Sequence, residues 1–176
     1  MEQLVLTTPT RQYCDEISAF RDEFLQDGSS MDGCGSLRRM ENPSDWLEQI
    51  ENLAKKETVP ANWVVSTQFV YLRVSDNRIV GMIQVRHYFN DFLEKYAGHI
   101  GYCIRPSERR KGYAKQMLHD CLPYCREIGL TNVLVSCIDS NEASRKTILA
   151  NGGVYESTVF EPKELVHLER YWIALS

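Results

Sequence analysis

The stretch Arg109-Arg110-Lys111-Gly112-Tyr113-Ala114 lies between an apolar run that stops at Ile104-Arg105-Pro106 and the strongest helical pattern in the chain. Ala114, Met117, Leu118, Cys121, Leu122, Cys125 and Ile128 fall on one stripe, which predicts a helix over 112–128 with Gly129 as its left-handed stop. Pro123 removes a donor from that helix, so a kink is expected where the His119 carbonyl loses its partner. A helix start leaves N–H groups unpaired and carries about half a positive charge, so an anion belongs at this segment. Gly112 lets the backbone approach a ligand, Ala114 keeps the next turn clear, and Arg109, Arg110 and Lys111 add attraction. Neither G-x-x-x-x-G-K-S/T nor G-x-G-x-x-G occurs, so a nucleoside triphosphate or a dinucleotide is not expected.

Working outward, the residues upstream turn β-branched and aromatic. Strands are expected from Trp63 to Val74, from Ile79 to Val85 across a Ser75–Arg78 turn, and from His99 to Ile104. Before them, Tyr13, Ile17, Phe20, Phe24 and Leu25 recur at helical spacing, and Asp45 opens a second short helix carrying Trp46, Leu47, Ile50 and Leu53. The Gly, Ser and Asp content of 26–36 reads as an exposed loop. Downstream, Val133 to Ile138 reads as a buried strand. Asn141 caps a helix over 141–150, and 154–160 and 167–175 form a closing strand pair. Two helices, three consecutive strands, a helix, a strand, a helix and two strands argue for an α/β fold with a mixed sheet rather than a doubly wound parallel one.

The 176 residues fit one domain, 1–176, with 43% apolar and 25% charged content. No apolar run approaches the ~18 residues of a membrane span, and MEQLVLTTPT has no signal-like charge and apolar pattern, so a cytoplasmic protein with no membrane partner is expected. A net charge of -4 argues against a nucleic-acid partner. The six cysteines show no paired C-x-x-C spacing, and Cys121 and Cys125 sit at core spacing on the helix, so no metal is expected.

Arg109-x-x-Gly112-x-Ala114 resembles the Gln/Arg-x-x-Gly-x-Gly/Ala motif of the GNAT N-acetyltransferase family, in the place where that fold carries it, between its fourth strand and third helix. Asn141-x-x-Ser144 followed by Asn151-Gly152 resembles the family's downstream segment. The resemblance implies a mostly antiparallel central sheet flanked by helices, acetyl-CoA as co-substrate, and transfer to a primary amine of a small molecule or peptide. It places the pantetheine arm along the backbone of Tyr102, Cys103 and Ile104, with an N–H near Tyr102 on the thioester carbonyl. The pyrophosphate falls on backbone groups of Arg110, Lys111, Gly112, Tyr113, Ala114 and Lys115, while Asn141 and Ser144 face the arm from the other side.

Two family positions depart. Gly98 stands where a carboxylate base is often found, leaving His99 and His87 as substitutes, and Ile148 stands where a tyrosine acid is usual, leaving Tyr102 or Tyr155. Gly153 replaces a common phenylalanine. These departures keep open an acyl-CoA-binding module with little turnover. The acidic segments Asp27–Asp32 and Asp91–Glu94 would suit a cationic acceptor at the entrance, and a homodimer is compatible with the chain.

Overall fold

The computed structural model describes residues Met1–Ser176. Strand β1 (Leu4–Thr7) precedes helices α1 (Cys14–Asp27) and α2 (Pro43–Leu53), followed by β2 (Ser66–Arg73), β3 (Arg78–Arg86) and β4 (Ile100–Ile104). Helix α3 (Tyr113–Glu127), β5 (Asn132–Ile138), α4 (Glu142–Ala150), β6 (Val154–Glu161) and β7 (Val166–Ala174) complete the chain. One seven-stranded sheet runs β1-β2-β3-β4-β5-β7-β6, antiparallel throughout except where β4 meets β5. The mixed, mostly antiparallel α/β fold expected from the sequence is the one observed.

Strand alternation divides the interior in two. Val70, Leu72, Ile79, Met82 and Cys103 face α1 and α2, where Ile17, Phe20, Phe24, Trp46, Leu47 and Ile50 complete one core. Phe69, Tyr71, Ile83, Val85, Ile100, Val133, Val135, Tyr171 and Ile173 face α3 and α4, against Met117, Leu118, Cys121, Cys125 and Ile148. Each large side chain buried here contributes about 2–3 kcal/mol. Arg105, at the end of β4, is 4% exposed and holds Glu23 at 2.6 Å together with Glu16, both from α1, so this ion cluster pins α1 to the strand that leads into α3.

Several expectations need correction. The edge strand β1 was not anticipated; only four residues long, it pairs Val5 with Leu72 and carries too little alternation to register as a strand. Helix α2 starts at Pro43 under an Asn42 cap that accepts from the Ser44 N–H at 2.9 Å, two residues before Asp45. Strand β2 starts at Ser66, and Trp63 is 49% exposed. Helix α3 extends past the exposed Pro123 to Glu127, and Pro123 withholds a donor from the His119 carbonyl as expected of its chemistry. The segment 26–36 is not simply an exposed loop: Met31, Gly33 and Cys34 are buried against the sheet, and the Trp46 indole N–H donates to the Cys34 carbonyl at 2.8 Å.

Candidate active site

The site grows from a failure of pairing. Strands β4 and β5 share the single parallel bridge Ile100–Val135 and then part. On the other side, the Arg86 N–H donates to the His99 carbonyl at 2.7 Å and the Arg105 N–H to the Val80 carbonyl at 2.8 Å. Antiparallel alternation then turns the main chain of Gly101 and Cys103 toward β3, and that of Tyr102 and Ile104 toward the gap. Two donors, the N–H groups of Tyr102 and Ile104, therefore face an opening between strands.

The α3 start lies at the end of the same strand. Gly112 is its N-cap at φ 82, Arg110 precedes it at φ 64, and no side chain caps the helix. No acceptor in the chain meets the N–H groups of Arg110, Lys111, Gly112, Tyr113, Ala114 or Lys115. A Cβ on Gly112 would meet nothing within 4 Å, so glycine is required by its left-handed backbone rather than by crowding. An open cleft of about 340 Å³ adjoins these donors, lined by Gly112, Lys115, Gln116, His119, Ala150 and Asn151. The Asn151 amide donates to the Lys115 carbonyl at 3.1 Å and ties the end of α4 to the first turn of α3.

The three basic side chains do not act together as the sequence suggested. Arg109 is exposed but engaged, donating to the Ile104 carbonyl at 3.2 Å and to Ser29 at 2.8 Å, with Asp27 at 3.3 Å. Lys111 pairs at 2.8 Å with Glu108, which also holds Arg73 at 2.9 Å and Arg78 at 2.8 Å. Burial alone would raise the Glu108 carboxyl, but its bonds to Arg73 and Lys111 outweigh that and hold it at about 2. Of these three only Arg110 is free of a carboxylate, and Lys115, which lines the cleft, is likewise unpaired, so the anion would meet two free cations beside the row of backbone donors.

The remaining candidates separate by face. The Tyr102 side chain lies on the α3–α4 side, its hydroxyl 2.7 Å from the Ser144 hydroxyl, and burial pushes its phenol up to about 12. Asn141 caps α4 by accepting from the Ser144 N–H at 3.1 Å. Cys103 pairs its backbone with Met82 and places its thiol 3.4 Å from Cys34 on the opposite face, so it offers the gap nothing. His99 is buried among Phe89, Trp172 and Leu134; its Nδ1 accepts from the Leu134 N–H at 2.9 Å, which leaves the proton on Nε2 and no free lone pair. Burial, reinforced by the Arg86 charge, pushes this imidazole down to about 4.

His87 lies on the α3 side with Thr67 at 2.8 Å and Tyr124 at 3.4 Å. That places it under the far half of α3, about 16 Å along the axis from Tyr113 at 1.5 Å per residue. The two histidines do not converge. Tyr155 is 54% exposed and bonds Thr158.

The unusual residues have steric reasons. A Cβ on Gly98 would stand 2.4 Å from the Leu134 carbonyl, so no carboxylate fits that position. Ile148 is fully buried, and a Cβ on Gly153 would stand 2.5 Å from its Cγ2, so the branched side chain and the glycine fill one another's space. Sequence reasoning missed Arg86 and Gly33, which meet over Gly101 on the α1–α2 side. No local motif announces residues that are brought together from separate elements.

A sheet that splits between β4 and β5, with an uncapped helix at the mouth of the split, brings a row of free backbone donors to one opening of this α/β protein. The chain matches the acetyltransferase (GNAT) domain over residues 3–154 and belongs to that family of acyltransferases, the N-acetyltransferases. A search of curated proteins gives no match. Among solved structures, the fold is similar to ribosomal-protein-S5-alanine acetyltransferase from Vibrio fischeri, at 16% identity and a TM-score of 0.77, covering 100% of this chain and 95% of that one. It is also similar to the microcin C7 self-immunity acetyltransferase MccE in complex with acetyl-CoA and AMP, at 17% identity and TM-score 0.71, covering 98% and 92%. Spermidine N-acetyltransferase from Vibrio cholerae, in complex with CoA and spermine, gives 17% identity and TM-score 0.65, covering 98% and 96%. No helix is long and apolar enough to cross a membrane.

Proposed function

We propose that the protein moves an acetyl group from acetyl-CoA to a primary amine by direct attack of the amine on the thioester. The observation that carries this reading is the run of unpartnered N–H groups from Arg110 to Lys115 at the mouth of the β4–β5 gap. The pyrophosphate takes those donors, and the pantetheine arm continues the interrupted ladder along Tyr102 and Ile104 with Asn141 and Ser144 on the facing wall. The Tyr102 N–H polarises the thioester carbonyl and receives the charge that develops on its oxygen.

On collapse the C–S bond breaks and the sulfur leaves as a thiolate, while the proton shed by the attacking nitrogen passes to water and one from water returns to the sulfur. The Tyr102 phenol, held at about 12, keeps its proton through the working range. Full transfer to a thiolate of ordinary pKa, about 8.5, would be uphill, so Tyr102 stabilises the sulfur by donating a hydrogen bond. Because the His99 Nδ1 lone pair is committed to Leu134, the amine loses its proton to water before attack. The rate is therefore expected to follow the fraction of neutral amine, with no inflection from an imidazole near 6.5.

A thiol-release assay across a panel of amines tests the reading. Acceptor-dependent release of CoA is expected, with Tyr102→Phe lowering kcat about tenfold while CoA affinity holds. Tight acetyl-CoA binding with no acceptor-dependent release would instead make the chain an acyl-CoA-binding module.

A further inference from the structure

Tyr102 and Ser144 reach each other across the gap, the first from β4 and the second from the first turn of α4, with their hydroxyl oxygens 2.7 Å apart. The Ser144 carbonyl lies farther from the phenol, at 3.4 Å. Asn141 accepts from the Ser144 N–H at 3.1 Å, so the cap of α4 also fixes the turn that presents the serine. A serine inside a helix commonly returns its hydroxyl to a carbonyl one turn back, whereas the Ser144 hydroxyl has Tyr102 as its one partner in the chain. Thr147, on the same face of α4 and 9% exposed, adds a weaker contact to the phenol.

Such a pair can be donated in either sense, because each hydroxyl carries one proton and can also accept. In one sense Tyr102 donates to Ser144, and its proton is spent inside the pair. In the other, Ser144 donates to the phenol oxygen, and the phenol proton is free for a third group. An ionised acceptor makes a hydrogen bond about twice as strong as a neutral one, so negative charge arriving beside the phenol selects the second sense. The serine then polarises the phenol and strengthens it as a donor. The departing sulfur supplies that charge. The pantetheine arm enters from the cleft between α3 and α4, on the face that carries the phenol, so the sulfur comes to lie on that face when the carbonyl meets the Tyr102 N–H.

We propose that Ser144 is a positioning residue for acetyl transfer, its hydroxyl donating to the Tyr102 oxygen and so turning the phenol proton onto the departing sulfur. This rests on the acetyl-transfer reading of the gap. No proton leaves either side chain: both hydroxyls rotate, and the thiolate takes its proton from water. A serine that merely fastened α4 to β4 would serve with its bond in either sense. Its loss would then appear in stability and in CoA affinity, and kcat would hold.

The test is kinetic. With acetyl-CoA and an accepted amine saturating, Ser144→Ala is expected to lower kcat about fivefold, the scale of one lost hydrogen bond, with KM for acetyl-CoA within about twofold. Ser144→Thr is expected to retain the wild-type kcat, and Ser144→Ala to cost less than about twofold in a Tyr102→Phe background, because the two act as a unit. An unchanged kcat in Ser144→Ala, a loss confined to KM, a loss that Ser144→Thr shares, or an undiminished loss in the Tyr102→Phe background would overturn the inference while leaving acetyl transfer intact. If no amine is accepted, the acetyl-transfer reading fails, and ultraviolet titration of the thiol of bound CoA decides the pairing alone. A thiolate fraction that falls about threefold at fixed pH in both Tyr102→Phe and Ser144→Ala, and is kept in Ser144→Thr, supports it. A fraction that Ser144→Ala leaves unmoved, or that Ser144→Thr also lowers, overturns it, and failure to bind CoA overturns both.

Discussion

The two helices that flank the gap begin in opposite ways. At the start of α4, Asn141 accepts from the Ser144 N–H and the chain satisfies its own donor. At the start of α3, Gly112 brings no acceptor, and nothing in the chain takes the first-turn N–H groups. A cap stabilises a helix by about 1 kcal/mol, so omitting one at the start of a fifteen-residue helix forgoes stability and leaves the site to an outside anion. The contrast teaches where ligand affinity should reside: in the backbone of α3, and only secondarily in the side chains of α4.

The severest way to break the contrast is Gly112→Val. A β-branched residue at φ 82 is strained and would swing the first-turn donors away from their common focus. CoA affinity measured by calorimetry is expected to fall about a thousandfold, or about 4 kcal/mol, with the circular dichroism spectrum retained. Unchanged affinity would remove the pyrophosphate from this loop.

The next largest effect concerns Glu108, which neutralises Lys111 beside the uncapped start. Its carboxyl lies at about 2 in the fold against an ordinary 4.5. A depressed carboxyl contributes fully above its unfolded value and loses that contribution as pH falls through its folded value. Stability of the wild type should thus decline between about pH 4.5 and pH 2. Glu108→Gln, which leaves Arg73 short of a buried partner, is expected to cost about 2–3 kcal/mol near neutrality and to flatten that acid limb in urea titrations. A steep limb that survives the substitution would assign it to other carboxylates.

A smaller change probes α4. Asn141→Ala should lower stability by about 1 kcal/mol through loss of the cap. CoA affinity should fall about threefold, since Asn141 lines the facing wall. Loss of stability with no change in affinity would restrict Asn141 to capping, and a tenfold loss of affinity would narrow the contrast between the two helices.

How much of this was legible beforehand follows the same division. The α3 start was readable because its parts are contiguous: a strand end, a glycine and an amphipathic stripe lie within twenty-five residues, and local order carries the chemistry. The Asn141 cap and the core position of Cys121 and Cys125 were readable for the same reason. What stayed hidden is long-range. The basic cluster looked like a phosphate clamp because nothing near it in sequence shows that Glu108 would collect Arg73 and Arg78 along with Lys111, or that Asp27 and Ser29 would engage Arg109 at the surface. Likewise 26–36 has the composition of a solvated loop, and only the fold shows Gly33 pressed onto the Gly101–Tyr102 peptide, where a Cβ would stand 2.1 Å from the Gly101 oxygen. His99 carried the right chemistry for a base, yet its lone pair is spent on the backbone of β5, a strand more than thirty residues away.

The smallest effects should come from the basic side chains that first drew attention to the loop. Lys111→Gln removes a charge already paired with Glu108, so CoA affinity should stay within about twofold at physiological salt. Arg110→Gln removes the one arginine of the loop left without a carboxylate, and about a threefold loss is expected, shrinking as salt rises because the guanidinium is exposed. A thirtyfold loss from either would mean that side chains rather than the uncapped backbone hold the anion. It would also erase the distinction between the two helix starts, because a helix whose ligand is held by flexible lysine and arginine has no need to forgo its cap.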